Sequence, residues 1–481
     1  MRRWLPLMAP VLLAGCVLGP DHVRPEVALP EALPLPASTE TPTPAEWAQW
    51  WRRFDDPVLD ALIARASRDN LDLQQQAAAV RAARARLGFA EAEQLPTVDL
   101  QAEASRQRQP AAAYGIPGAE SSTRSLFSVS GVLGYELDLW GRLARSREGA
   151  AAQLTESVYA REALRLGVIA DVATTYFEWR AAQRQLAITE DAIAAREEAV
   201  SLQRIRYEAG AVDRLVLLQA RSELETTRAQ LPDRRQRVRA LESALGLLLG
   251  WTPAELAAET PMADAPASTA SAVEAVPPVL PATLLERRPD IRAAEEALRA
   301  ANAAVGQAQA ARLPGLNLSG LIGTTAAETG DLFTGAAETW SLGASVLGPV
   351  LDFGRGRANV EAARAERDRL ALQYRATVNR AFAEVRDALH AFEAARQRVA
   401  AVQRQVEAVQ ETFAVAEIRY DEGATDFLEV LDARRALLDA RLALSAAEQQ
   451  RLATAATLYK ALGGGWREAG EAEAAAAATA D

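Results

Sequence analysis

Two hydrophobic periods alternate along this chain. From Pro57 to about Gln94 apolar residues recur at helical spacing, and Pro96 ends the run. From Thr97 the period drops to two. Val98, Leu100, Ala102 and Ala104 alternate with Asp99, Gln101, Glu103 and Ser105, a pattern that gives one apolar face only to an extended strand. After a loop with Pro110, Gly115, Pro117 and Gly118 comes a second alternating run. Phe127, Val129, Leu133, Tyr135, Leu137 and Leu139 face one way and Ser128, Ser130, Glu136 and Asp138 the other, so a strand pair is expected over 97–107 and 125–139. From Arg142 to Tyr207 there is no proline, and Gly149 and Gly167 are the only glycines. Some 65 residues rising ~1.5 Å each predict a helix of about 100 Å. Gly210 suits the left-handed backbone of a turn. A returning helix should then run from Val212 to about Gly250, kinked or interrupted by Pro232.

The second half repeats the first. Arg206-Tyr207-Glu208-Ala209-Gly210 returns as Arg419-Tyr420-Asp421-Glu422-Gly423, an offset of 213 (419 − 206). Leu137-Asp138-Leu139-Trp140-Gly141-Arg142 returns as Leu351-Asp352-Phe353-Gly354-Arg355. A period this long marks an internal duplication and not a solenoid. The second strand pair is expected over 315–324 and 340–351: Leu316, Leu318 and Ile322 oppose Asn317 and Ser319, and after Gly330 and Gly335, Trp340, Leu342, Ala344 and Val346 oppose Ser341 and Ser345. The second helical hairpin should run from Arg355 to Tyr420, turn at Gly423 and return to Leu462.

The termini add an address. Arg2 and Arg3 precede an apolar run, Trp4 to Leu13, and Leu13-Ala14-Gly15-Cys16 closes with small residues before the only cysteine. Residues 1–15 thus read as a secretory signal, too short to span a membrane. Residues 16–56 begin with proline at 20, 25, 30, 34, 36, 42 and 44 and should run as an extended arm. The first repeat occupies 57–250, a connection at mid-height 251–280, the second repeat 281–465, and the acidic, alanine-rich tail 466–481 is expected to be disordered. The chain has 481 residues, 49% apolar mainly through alanine, with few aromatics and a net charge of −11. This composition suits long helices packed along narrow seams, and the charge argues against a nucleic-acid partner.

No apolar run after the signal reaches the roughly 18 residues of a spanning helix, so any membrane crossing must use strands. Alternating hairpins also fit a sheet packed on a soluble core. The exported address favours a β-barrel. Four strands cannot close one, and an open edge in lipid costs several kcal/mol for each unpaired backbone group. Three chains would bring twelve strands, enough for a water-filled lumen, whereas two would bring eight, which side chains fill. A homotrimer follows. The fold class is therefore α plus transmembrane β, internally duplicated, with long α-helical hairpins and four β-strands per chain in a trimeric twelve-stranded barrel.

Throughout its mature length the chain resembles the TolC-like outer-membrane efflux proteins, and among them the lipid-anchored OprM/NodT type. The residues that carry the resemblance are the Leu-Ala-Gly-Cys box at Cys16, Gly19-Pro20-Asp21 and Pro25, the Leu137 to Arg142 junction, the paired Arg-Tyr-x-x-Gly turns, and Leu284-Leu285-Glu286-Arg287-Arg288-Pro289-Asp290. His22 departs from the tyrosine usual there. The resemblance implies acylation of Cys16 and, with Val17 after it, sorting to the cell outer membrane. It also implies a trimeric duct whose helical hairpins form a periplasmic tunnel below the barrel, with a periplasmic adaptor docked on its lower end and joining it to an inner-membrane pump of the RND type, for export of small molecules such as drugs or toxic compounds. The tips, Gly210, Ala211, Val212 and Asp213 with Gly423, Ala424, Thr425 and Asp426, are the expected adaptor contacts.

Glu429 and Asp432, at i and i+3 on one helical face, match the positions of acidic residues at the constriction of such tunnels. Three copies would ring the pore with carboxylates and favour cations. The first repeat has Val216 and Gln219 there. No cluster of metal-binding or nucleophilic residues and no phosphate loop is present in the sequence, so no cofactor, metal or catalytic activity is expected, and His22 and His390 have no assigned role. Two alternatives remain. A duct for type I protein secretion would share this architecture, and a lipid-anchored periplasmic adaptor would carry one hairpin flanked by β-domains.

Overall fold

The sheet of this protein is an up-and-down meander of four strands in the order β1-β2-β3-β4, all antiparallel. The computed structural model describes residues 17–28, 47–110, 121–257 and 285–464. The signal, Cys16, most of the arm, the tip of the first strand loop, most of the 251–280 connection and the 466–481 tail lie outside the described residues. Strand β1 is Thr97–Gln109, β2 Ser122–Leu137, β3 Gly315–Ala326 and β4 Glu338–Leu347. The helices are α1 (Pro57–Asp69), α2 (Leu71–Ala92), α3 (Arg142–Glu208), α4 (Arg214–Arg228), α5 (Leu231–Leu248), α6 (Pro253–Ala257), α7 (Pro289–Ala310), α8 (Arg355–Asp421) and α9 (Phe427–Ala461). The chain divides into two units. One comprises residues 1–26, 79–158 and 293–375, and the other residues 27–78, 159–292 and 376–481.

In the first unit, register aligns the alternating residues into one face. Leu133, Gly131, Val129 and Phe127 of β2 sit opposite Val98, Leu100, Ala102 and Ala104 of β1. On their other side they meet Gly320, Ile322, Thr324 and Ala326 of β3, and Gly320 and Ile322 in turn meet Leu342 and Trp340 of β4. This face is bare in the single chain: Leu100 is 82%, Trp340 77% and Leu342 80% exposed. The other face carries Gln101 opposite Ser130, Glu103 opposite Ser128, Glu136 opposite Asn317 and Asn317 opposite Ser345. Strands β1 and β4 form the two edges, and neither outer edge has a strand partner among the described residues.

Strand ends differ from expectation. Alternation suggested strand to Leu351, but β4 stops at Leu347 because Gly348-Pro349 follows, and proline has no N–H to continue a ladder. Likewise β2 ends at Leu137, and Leu139 belongs to the turn into α3. That turn shows what the repeated motif does. The Asp138 carboxylate accepts a hydrogen bond from the Ala144 N–H at 2.8 Å. Asp352 accepts from the Gly354 and Gly356 N–H groups at 2.9 and 2.8 Å. Each long helix thus begins with its free amides met by an aspartate.

The arm after Cys16 is strapped beside this turn. The Leu18 N–H donates to the Trp140 carbonyl at 3.1 Å, and buried Arg145 donates to the Leu18 and Gly19 carbonyls at 3.0 and 3.2 Å. Asn302 donates to the Pro20 carbonyl at 2.7 Å, and Arg24 grips Glu295 through two bonds of 2.8 and 2.7 Å. Contact is close enough to exclude side chains. A Cβ on Gly306 would lie 2.7 Å from the Leu18 oxygen, and Gly19 has φ +106°.

The second unit has an aromatic core. Trp47 and the short 3-10 helix Trp50–Phe54, within the stretch expected to be extended, pack against α1, α3 and α9. Trp50 stacks on Tyr459 at 5.2 Å and 11°, and Phe54 meets Phe177 at 4.9 Å. Tyr176, Trp179 and Phe392 join this core. The single helix expected from Pro57 is two, because Asn70 is extended (φ −60°, ψ 127°). Its buried side chain accepts from the Leu73 N–H at 3.1 Å and donates to the Leu248 carbonyl at 2.9 Å, capping one helix and closing another. Pro232 also acts as expected. It sits near the start of α5, after a gap at Ala229 and Gln230 that separates α4 from α5.

Replacing Gly306 by valine is expected to release the arm, at a cost of about 1–3 kcal/mol. Hydrogen–deuterium exchange of the Leu18 amide, bonded to the Trp140 carbonyl, should become faster than in the parent protein; unchanged exchange would show that the close packing at Gly306 does not hold the strap.

Candidate functional site

The two helical hairpins close with the same backbone geometry. Gly210 has φ +74° and Gly423 φ +73°. In each, two hydrogen bonds cap the incoming helix: Ala211 N–H to Arg206 carbonyl at 2.8 Å and Gly210 to Tyr207 at 2.9 Å, matched by Ala424 to Arg419 at 2.7 Å and Gly423 to Tyr420 at 3.0 Å. This is a Schellman closure. A Cβ at either glycine would meet nothing within 4 Å, so the positive φ alone asks for glycine. Asp213 and Asp426 start the returning helices, accepting from Leu215 and Glu429 N–H groups at 3.2 Å each. Their carboxylates therefore serve the fold as well as the surface. Ala211 and Ala424 are exposed, and Val212 and Thr425 half-buried.

Glu429 and Asp432 are both exposed in the first turns of α9, but each has a cation beside it. Arg419 lies 3.7 Å from Glu429, which also takes a hydrogen bond from the Thr425 hydroxyl. Arg435 lies 3.2 Å from Asp432. The two carboxylates are thus partly neutralised within their own chain. Val216, the first-repeat counterpart of Glu429, is a packing residue: it leans on the small core of Ala220, Ala416, Phe427, Val430, Leu431 and Ala433.

Beneath the tips lies an ion cluster that sequence reading missed. Glu223 of α4, 4% exposed, is bound on one side by Arg196 of α3 at 3.0 Å and on the other by Arg435 of α9 at 2.6 Å. One buried carboxylate therefore joins the first hairpin to the second. Nearer the tip, Arg206 donates to Asp421 at 3.1 Å and stands over the Tyr420 ring at 5.6 Å, while the Tyr420 hydroxyl donates to Gln203 at 3.3 Å. The hydrogen bond to Asp421 holds the Arg206 guanidinium above its usual pKa. A cleft of about 520 Å³ runs between the repeats here, lined by Ala195, Leu202, Phe413, Tyr420, Phe427 and Leu438 among others.

Part of this network had a sequence signal. Residues equidistant from a helical turn lie side by side in a hairpin, and Arg196 and Glu223 flank Gly210 almost evenly. The link to Arg435 had none, since it joins residues 212 positions apart.

Comparison with known proteins agrees with this layout. The family profile described as Outer membrane efflux protein matches residues 62–251 and 280–464. The toluene efflux pump outer membrane protein TtgF of Pseudomonas putida is 34% identical over 473 residues, 96% of this chain and 97% of that protein. The outer membrane protein OprJ of Pseudomonas aeruginosa is 33% identical over 463 residues, 96% and 95% of the two chains. Among solved structures, the outer-membrane channel OprN superposes with a TM-score of 0.83 at 32% identity, covering 94% of this chain and all of that one (100%). The CmeC outer membrane channel of Campylobacter jejuni gives 0.85 at 27%, covering 94% and 96%. With both halves matched and the full strand and hairpin layout shared, the chain belongs to the outer membrane efflux protein family.

Proposed function

We propose that three copies of this chain form the outer-membrane channel of a tripartite efflux system, a passive duct through which an inner-membrane pump of the RND type, coupled by a periplasmic adaptor, exports small molecules such as drugs or solvents. The observation that carries this reading is the four-stranded sheet, with one continuous apolar face and two open edges. Lipid would cover the face, and the edges β1 and β4 of neighbouring copies would pair to close a twelve-stranded barrel. A relative named for toluene export supports a small-molecule cargo. The duct itself performs no chemistry. Its lipid anchor is Cys16, and the tips at 210–213 and 423–426 are the contacts for the adaptor.

Glu429 and Asp432 line the periplasmic gate in this reading, with Arg419 and Arg435 as their counter-charges. Arg435 then has two duties, because it also holds Glu223. Movement of α9 that separated it from Glu223 would leave a buried carboxylate with Arg196 alone, so the cluster favours the two hairpins moving as one at this level.

Sedimentation in detergent should give a trimer, and a stable monomer inserted in bilayers would overturn the pooled barrel. Leu133→Arg, on the apolar face, should impair assembly by about 2–4 kcal/mol per chain at the bilayer midplane. The lumen-side control is Gln101→Arg. Ser130, although on the same polar face, is unsuited to that purpose, because it is buried where a Cβ on Gly323 would lie 2.6 Å from its own.

In planar bilayers, Glu429→Gln with Asp432→Asn should shift the reversal potential toward anion preference and weaken block by multivalent cations, because Arg419 and Arg435 lose their counter-charges. Gln219→Ala should leave both properties as in the parent. If the double variant matches the parent in block and selectivity, these carboxylates lie outside the pore.

Cys16→Ser should abolish incorporation of labelled palmitate while trimers still form, since the barrel holds the membrane without acyl chains. Labelling that persists in the serine variant would end the lipoprotein reading.

A further inference from the structure

The apolar face of β1 ends in two arginines. Val98, Leu100, Ala102 and Ala104 share that face by register, and the next residues on it are Arg106 and Arg108. Successive residues on one face stand about 6.7 Å apart, so the guanidinium groups begin one and two steps beyond the last apolar position. No bulge intervenes, since pairing with β2 is continuous from Thr97 to Gln109. Directly across from them on β2 are Ser125 and Thr123, each with a hydroxyl. Both arginines are exposed, and neither has an ion pair or side-chain hydrogen bond among the described residues.

The second repeat has no counterpart. At the same distance from its start β3 carries Thr324 and Ala326 on this face, opposite Val129 and Phe127. Arg124, the other nearby cation, sits opposite Gln107 and therefore on the polar face. Within the strands the carboxylate on the outward face is Glu338, on β4 at the other edge of the sheet, and Glu328 lies two residues past the end of β3. Within one chain the cationic patch is thus local to one hairpin, has no ion pair among the described residues, and is bordered by the aromatic Phe127 and by hydroxyls.

We propose that Arg106 and Arg108, with Thr123 and Ser125, bind the phosphate groups of the phosphorylated glycolipid in the outer leaflet. The proposal rests on the barrel reading above. These residues lie at the end of the hairpin remote from the helices α2 and α3, the end that faces outward if the helices enter the periplasm. An arginine just past an apolar band lays its stem along the lipid and brings its guanidinium to headgroup height. Two planar forks on adjacent steps match phosphomonoester oxygens, where lysine would offer only a point charge. Edge pairing of β1 with a second copy would use backbone groups and leave these side chains facing outward.

The test uses the purified protein in detergent, with bis-phosphorylated lipid A as probe, read by native mass spectrometry and thermal melting. Phosphorylated lipid A should bind the trimer and raise its melting temperature, whereas dephosphorylated lipid A and inorganic phosphate should not. Arg106→Gln with Arg108→Gln should lower affinity about tenfold or more, Arg106→Lys with Arg108→Lys should lower it less, and Arg124→Gln should leave it unchanged. Should the glutamine variant not assemble, the lysine variant reads the same affinity. Equal binding of the dephosphorylated lipid, or wild-type affinity in the glutamine variant, would overturn the proposal. So would stabilisation by free phosphate, which would mark a soluble-anion site. Glu338→Gln should leave lipid binding equal or stronger; a loss equal to that of the arginine variants would assign the patch to a contact between copies. A parent protein that is monomeric in every condition would instead remove the barrel reading, and this site with it.

Discussion

Every peptide N–H and C=O placed in hydrocarbon must find a partner within protein, and this requirement governs the architecture of the chain. Four strands satisfy each other along three ladders and leave two edges open. The shortfall cannot be met by more side chains or a larger core, because the missing partners are backbone groups. A second copy supplies them, and the alternation of residues then decides which side meets lipid. Assembly is in this sense part of folding: the fold of one chain is incomplete in the solvent where it works.

Outside lipid the same accounting is settled locally. Each long helix opens on an aspartate, Asp138 or Asp352, and each hairpin closes on a glycine with positive φ. Asn70 serves two helix ends with one side chain. These devices explain why so little of the sequence is aromatic. Long helices need caps and narrow alanine-rich seams, and the large rings gather where Trp50, Phe54, Tyr176, Trp179 and Tyr459 bring several segments to one core.

Strands were legible because they have a period, and the long helices because a run such as Arg142 to Tyr207 holds no proline and only two glycines. Parity told which side each residue faces but not its partner, because a slip of two residues keeps every side chain on its face; the pairing of Val98 with Leu133 came from the structure. What was not legible depended on ends and on distant partners. Gly348-Pro349 shortened a strand that alternation alone would have extended, and Asn70 split a helix with no proline or glycine to announce it. At the tips, Glu429 and Asp432 were readable as acidic positions, but their neutralisation by Arg419 and Arg435 depends on rotamers and on the packing of α8 against α9. Charge pairs within the first hairpin, such as Glu190 with Arg235 and Glu197 with Arg228, obey a mirror rule about the turn. The contact of Glu223 with Arg435 obeys none, since it depends on how two hairpins are laid together.

The two returning limbs are unequal as mechanical parts. The second is one uninterrupted helix of 35 residues, Phe427–Ala461. The first is jointed, because Pro232 has no N–H to offer the Arg228 carbonyl and α4 ends where that rung of the ladder is missing. A continuous helix passes a bending load along its length, whereas a jointed one absorbs it at the joint. Duplication thus produced a stiff strut and a compliant one from a single ancestral hairpin, and a torque applied at the periplasmic end would be carried inward mainly by the second.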